Sequence, residues 1–167
     1  RGADRVIMNG DLSALEWRVG AELSRDPIMI EEIMNNVDIH TANSNAIFGS
    51  PSFRQESKTI SFRSLYGGSA YAFFMDPNMP SKKLNEWEDI HEKFYRKYSQ
   101  LGRWQNANLK LVSKQGFYTA FTGRKYVFIP DGGKYSKPSV CNYIVQGTAT
   151  GDLVPFAMLI INKRIKE

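Results

Sequence analysis

From Asp26 to Gly116 the chain is punctuated for helices, and this run of start and stop signals constrains its fold more than any other feature. Asp26 followed by Pro27 sets a helix start: a carboxylate accepts the first free N–H groups, and proline lacks the one it would leave unsatisfied. Met29, Ile30, Ile33 and Met34 then recur at helical spacing. Asp38 caps the next helix, from His40 to Phe48, and Gly49 stops it. Ser52 to Tyr66 is helical in pattern and Gly67-Gly68 ends it, after which Asp76-Pro77-Asn78-Met79-Pro80 is a loop. Ser81 is read as the cap of a long amphipathic helix with Leu84, Trp87, His91, Phe94 and Tyr98 on one stripe. A further helical stretch runs through Trp104 and Leu111 to Gly116.

Strand signals are confined to the flanks. Val6-Ile7-Met8 reads as a short buried strand leading into Asn9-Gly10-Asp11, followed by a helix near Ala14 to Ser24 with Leu15, Val19 and Leu23 on one face. Phe117 to Thr122 and Lys125 to Ile129 flank Gly123-Arg124 as a β-hairpin. A last helical region begins near Val140, and Pro155 is expected to kink or split it. The fold class expected is therefore α+β, predominantly α-helical.

At 167 residues there is enough chain for one ordinary domain, and 42% apolar with 23% charged residues is a globular composition. The formal charge of +5 favours a polyanion without singling out nucleic acid. Cys141 is the lone cysteine, which excludes an intrachain disulfide and a cysteine zinc cluster and fits a reducing, intracellular setting. No apolar run approaches bilayer length, so no membrane partner is expected. Arg1-Gly2-Ala3-Asp4-Arg5 lacks the apolar stretch of a signal peptide. The chain stops on Lys163-Arg164-Ile165-Lys166-Glu167 within a helical pattern, and the expectation is a piece of something larger.

Two places carry chemistry. Asp11, between a strand and a helix, is placed as a rigid hard-oxygen ligand for a divalent metal, although a capping aspartate would occupy the same position. Arg54, Lys58, Phe62 and Tyr66 recur every four residues along one helix face. Cations near the helix start suit a polyphosphate, and the aromatics further along suit a sugar and a base. As generic helix features, the aromatics would be core and the cations solvated.

Asp11-Leu12-Ser13-Ala14-Leu15-Glu16-Trp17-Arg18 resembles motif A of family A (polymerase I-like) DNA polymerases, and Arg54 through Gly67 resembles motif B. Asp38-Ile39-His40, Gly123-Arg124-Lys125 and Asn142 through Gln146-Gly147-Thr148-Ala149 match three further segments in the family's order. The resemblance covers nearly the whole chain, and local similarity is closer to bacteriophage members than to bacterial repair enzymes.

It implies a partial polymerase domain: residues 1–26 as palm strand and motif A, 27–116 as fingers and following helices, 117–167 as palm hairpin and helix. It implies that Asp11, with the Leu12 carbonyl, binds two Mg2+ ions, for which Mn2+ can substitute. Arg54, Lys58 and His40 would hold the dNTP triphosphate, with Lys58 the proton donor to pyrophosphate. Glu16 would be the steric gate against ribonucleotides, Phe62 would lie on the sugar, and Tyr66 would stack at the insertion site. Phenylalanine at 62 implies poor use of dideoxynucleotides. Arg18, Arg124, Asn142 and Gln146, with Tyr66, would contact primer–template DNA.

Three departures stand out. Ala14 stands where the family often has glutamine or another polar or small residue, and Ser61 and Arg63 flank Phe62 where asparagine and glycine are common. The family's motif C, which carries a second metal-binding carboxylate, is expected beyond the final helix, with thumb and exonuclease regions upstream. The expectation is a chain with little polymerase activity of its own, completed by the missing thumb and motif C palm on the same or a separate chain. The resemblance implies a cytoplasmic location, the host's cytoplasm if phage-encoded. A non-catalytic DNA- or nucleotide-binding subunit or fragment is the alternative, and a generic helical domain the third reading. The Leu84–Tyr98 stripe and His91 are read as packing, Lys82-Lys83 and Lys163-Arg164 as solvated, and Asp152 as a structural carboxylate.

Overall fold

The computed structural model describes residues 10–166, and the strand read at Val6–Met8 lies outside them. In chain order the elements are α1 (Leu15–Ser24), α2 (Pro27–Met34), α3 (Ile39–Phe48), α4 (Arg54–Leu65), α5 (Ala70–Phe74), α6 (Leu84–Lys97), α7 (Ser99–Gln115), β1 (Phe117–Thr119), β2 (Lys125–Val127), α8 (Lys137–Gln146) and α9 (Val154–Lys166). A 3-10 turn, Pro51–Phe53, leads into α4, and a π-helical segment, Gly147–Leu153, joins α8 to α9. The class is α+β and predominantly α-helical, as the punctuation implied.

The caps at Asp26 and Asp38 form as expected. Asp38 Oδ1 accepts from His40 N and Thr41 N at the start of α3. Asp26 does more: Oδ1 accepts from Ile28 N and Met29 N at the start of α2, while Oδ2 accepts from Gln100 N at 2.9 Å and Leu101 N at 3.1 Å at the start of α7. One carboxylate, 1% exposed, thus caps two helices far apart in the chain.

Aromatic packing closes the core. Trp17 of α1 meets Tyr98 and Phe94 edge-on, at 5.4 and 6.5 Å between ring centroids, and Phe73 of α5 stacks on Trp87 of α6 at 5.6 Å. The Leu84–Tyr98 stripe is accordingly a packing face, with Trp87, Phe94 and Tyr98 at most 1% exposed. Beside it runs a polar network. Lys97 Nζ pairs with Glu32 Oε1 at 2.7 Å and donates to Asn43 Oδ1 at 2.8 Å, and the Tyr98 hydroxyl lies 2.7 Å from both Glu32 Oε2 and Asn43 Oδ1. Asn43 Nδ2 then donates to Ser61 Oγ of α4 at 2.8 Å.

The structure corrects several local expectations. Ser81 caps nothing; α6 starts at Leu84, where the Glu86 carboxylate accepts the Lys83 N–H at 2.8 Å and so fixes the helix start three residues later. The five-residue α5 is too short for its spacing to register as helical in the sequence. The hairpin pairs only Phe117↔Val127, Tyr118↔Tyr126 and Thr119↔Lys125, because Ala120 and Arg124 close the turn early and leave Phe121 and Thr122 in it. The last helix begins at Lys137 rather than Val140, since Ser136 caps it and Pro138 fits its first turn. Its irregularity falls at Gly147–Leu153, ahead of Pro155, where a Cβ on Gly147 would overlap the Tyr126 hydroxyl.

That helical continuity also produces one long apolar helix. Lys137–Ile165 forms 29 continuous residues with an 18-residue window of mean hydropathy 1.5, which is 22% buried. By length and composition alone this is enough to cross a bilayer. In the sequence Gly147 to Asp152 interrupts the apolar run, but in the structure it does not interrupt the helix.

Removing the Asp26 carboxylate leaves four N–H groups at two helix starts without their acceptor. Asp26→Ala is expected to lower unfolding free energy by about 3 kcal/mol in denaturant titration, and Asp26→Asn to recover part of that loss.

Candidate active-site cleft

The chain enters the site through a strained turn. Ala14, just before α1, sits at φ 49°, ψ 37°, in the left-handed region that alanine disfavours, and its side chain caps nothing. Leu15 N donates to Leu12 O at 3.2 Å, and Arg18 Nε donates to Ser13 O at 3.0 Å, so α1 reaches back to hold the turn. Asp11 and Leu12 are thereby exposed at a cleft of about 570 Å³, with Glu16 and Phe62 lining its walls. Two segments singled out separately in the sequence, Asp11–Glu16 and the α4 stripe, thus meet.

The N-terminal half of α4 faces α3. Arg54 makes a two-point pair with Asp38, Nε to Oδ2 at 2.9 Å and Nη2 to Oδ1 at 3.3 Å, and both side chains are half-exposed. This guanidinium holds the Asp38 carboxyl well below the usual carboxylate range. Lys58, one turn on, is exposed. The His40 ring lies 5.8 Å from that of Phe62, and its buried Nδ1 has no hydrogen-bond partner. Burial, then the charges of Arg54 and Lys58 against the opposing Asp38, lowers the His40 pKa below 6.5, so the site presents a neutral imidazole at pH 7. His40, Arg54, Lys58 and Phe62 therefore lie along the facing sides of α3 and α4.

Tyr66 closes the other end of α4. Burial raises its phenol pKa, and the nearby Glu16 carboxylate adds to the effect by charge, although it is not placed to accept the Tyr66 proton. Gln146 Nε2 donates to Glu16 Oε1 at 3.2 Å, so α8 reaches α1 directly.

The five DNA-contact candidates separate. Gln146 stands at Glu16, and Asn142 lines a groove of about 490 Å³ with Tyr66 and Arg63. Arg18 lines a different cavity of about 510 Å³ that includes Phe121 and Thr148. Arg124 pairs with Asp152 at 3.0 Å and donates to Gly151 O at 3.2 Å, clasping the π segment. Asp152, its side chain 7% exposed and also accepting from Thr122 Oγ1, is the structural carboxylate it was read as.

Both residues of the Ser61 and Arg63 departure find partners. Ser61, fully buried, accepts from Asn43, while Arg63 pairs with Asp76 and covers the Phe73 ring at 5.8 Å. His91 is a satisfied packing histidine, its Nε2 2.8 Å from Gly68 O. Sequence reasoning missed Thr150, Met158 and Ile161 as cleft walls and Asp38 as the partner of Arg54. Only the pairing of an acid with a later arginine hinted at the last, and no spacing rule pointed to the first three. Among the described residues no three His, Cys, Asp or Glu side chains converge as a metal cluster.

Comparison with known proteins supplies the family. The model for DNA polymerase family A matches residues 2–167. DNA polymerase I of Caldicellulosiruptor bescii is 27% identical over 174 residues, covering 97% of this chain and 20% of the relative. The thermostable DNA polymerase I of Thermus thermophilus is 30% identical over 175 residues, again 97% of this chain and 20% of the relative. Among solved structures, the POL domain of Pol1 from M. smegmatis in complex with DNA primer-template and dNTP superposes with a TM-score of 0.79 at 22% identity, over 93% of this chain and 29% of that one. The chain belongs to DNA polymerase family A. It spans about a fifth of the length of the curated relatives it matches.

The strain at Ala14 is testable. Glycine takes the left-handed conformation freely, so Ala14→Gly is expected to raise unfolding free energy by about 1 kcal/mol, read as a higher Tm.

Proposed function

We propose that the chain forms the fingers and part of the palm of a template-directed DNA polymerase. Residues 1–26 carry motif A, 27–116 the fingers and following helices, and 117–167 the palm hairpin and helix. One observation carries this reading: Asp11, Glu16 and Phe62, from two motifs distant in the chain, line one cleft beside the cations of α4. The M. smegmatis protein was solved with primer-template and dNTP, and the same partners are proposed here.

Arg54 and Lys58 grip the triphosphate. Arg54 is held by Asp38, so its fork is already oriented and exchanges or shares one carboxylate for phosphate oxygens. The neutral His40 donates an N–H to the same oxygens. The primer 3′-hydroxyl gives its proton to solvent as its oxygen bonds to the α-phosphorus and the bond from that phosphorus to the bridging oxygen breaks, and Lys58 Nζ passes a proton to the departing pyrophosphate. Glu16, held by Gln146, packs beneath the sugar and leaves no room for a 2′-hydroxyl. Phe62 lies on the sugar and its bare ring disfavours dideoxynucleotides, while Tyr66 stacks at the insertion site and shares a groove with Asn142 toward the template. Arg18, Arg124 and Gln146 contact primer–template once the duplex draws them from their present partners.

The cleft fits a divalent metal in part. Asp11 offers an exposed carboxylate, and the Leu12 carbonyl keeps a second lone pair beyond the one bonded to Leu15 N. Bound Mg2+, or Mn2+ in its place, supplies an activated 3′-hydroxyl and neutralises charge on pyrophosphate. Two such ions need a further carboxylate, which the resemblance places in motif C. The thumb and the motif C palm, on this or another chain, are accordingly proposed as partners. The same thin donor set favours, as a second reading, a subunit that binds nucleotide or DNA without chemistry.

Titration of a dNTP with Mg2+ tests the site. Lys58→Ala is expected to weaken binding at least tenfold, and unchanged affinity would discard the polymerase reading. Primer extension separates the two readings: activity appearing only on addition of a polypeptide carrying motif C supports the enzyme, and its absence with binding intact supports the binding subunit.

A further inference from the structure

The two ends of α4 are held very differently. At its N-terminal end Arg54 and Lys58 face solvent, and Arg54 is tied only by a half-exposed ion pair. At its C-terminal end the chain reverses sharply at Tyr66: Gly67 N donates to Ser64 O at 2.9 Å and Gly68 N to Arg63 O at 2.8 Å, with Gly67 at φ 77°. Behind this reversal sits Gln105 of α7, fully buried, with both ends of its amide engaged. Its Nε2 donates to Ser64 O at 2.7 Å and to Leu65 O at 3.0 Å. Its Oε1 lies 2.9 Å from the Tyr95 hydroxyl, which also lies 2.9 Å from Ser64 O. The His91 ring takes up Gly68 O. Side chains of α6 and α7 thus receive the carbonyls on both sides of Tyr66.

We infer that Gln105, seconded by Tyr95, is a positioning residue for the nucleoside end of the α4 site. An apolar side chain of similar volume would fill the same space. What the amide adds is direction: two donors in one plane fix where Ser64 and Leu65 point, and with them the tilt of the helix end that carries Phe62 and Tyr66. The phosphate end is tied separately, through Phe53 N to Ser44 Oγ at 3.1 Å and Arg54 to Asp38, so the effect falls on base and sugar and spares the triphosphate. The inference rests on reading α4 as the nucleotide-binding helix.

The experiment compares two probes, dATP and inorganic tripolyphosphate, each with Mg2+, by calorimetric titration of the 167-residue chain. Gln105→Met is expected to weaken dATP about tenfold while leaving tripolyphosphate within twofold. Tyr95→Phe keeps the packing and is expected to move the same way by less, and it carries the test should Gln105→Met fail to fold. Asn108→Ala is the control: Asn108 is buried on the same helix but bonds only Trp104 O at 2.8 Å, so it perturbs α7 and is expected to change neither probe. Parallel weakening of both probes, or no change in either, overturns the positioning role. Should the unaltered chain bind neither probe, or Lys58→Ala bind both as before, the reading of α4 itself falls and takes this inference with it.

Discussion

Asp26 accepts four backbone N–H groups, two from α2 and two from α7, at a point solvent does not reach. A helix start is the one place where backbone donors have no partner within the helix, and two such starts share a single carboxylate here. The distance and angle between α2 and α7 are therefore set by one side chain rather than by apolar contact, which tolerates sliding. The Glu32–Lys97–Tyr98–Asn43–Ser61 relay follows from that registration. It starts on α2, passes through the end of α6, and arrives on α4 beside Phe62. Polar links of this kind are directional and nearly all buried, so α4 is located by hydrogen-bond geometry and then packed around.

This explains how a helix with half its face in solvent stands opposite Asp11 and Glu16 in a defined position. Its inner positions, Ser57, Ile60, Ser61, Ser64 and Leu65, are buried, and three of the five are serines. Small hydroxyl residues let neighbouring helices approach closely and leave little apolar volume to hold α4 in place. The polar anchors at Asn43 and Gln105 supply the specificity that side-chain volume does not. Ser61 and Arg63, which depart from the family pattern, fit this account: each meets a partner, Asn43 or Asp76, that completes it.

How much of this was legible in the sequence divides along the range of the interaction. Caps at Asp26 and Asp38 and the stop at Gly116 act within a few residues, and all three were readable. Ser81 failed as a cap because Glu86 offered a competing acceptor for the Lys83 N–H, a contest that composition does not decide. The cleft was legible as two motifs, but not the contact of Gln146 with Glu16 or the second role of Asp26, since both join residues far apart in the chain. Resemblance grouped Arg18, Arg124, Asn142 and Gln146 by a shared partner. Folding distributes them, because Arg18 is drawn to Ser13 O and Arg124 to Asp152. The π segment had no signature beyond its glycines.

The long helix from α8 to α9 shows how one apolar surface admits different explanations. Phe156, Met158, Leu159, Ile161 and Ile165 are all more than half exposed, which few helices in water sustain. A bilayer would cover them, but the same continuous helix carries Asp152, ion-paired to Arg124 from the hairpin. Placing that pair and the attached hairpin at bilayer depth would bury charge and strand edges together, which is expensive in hydrocarbon. A protein surface covers apolar side chains without that penalty, because it meets α9 on one side and leaves the π segment wet. Met158 and Ile161 also form part of the wall facing Asp11 and Glu16. Whatever packs against α9 consequently borders the cleft as well, which is where the proposed palm partner would sit.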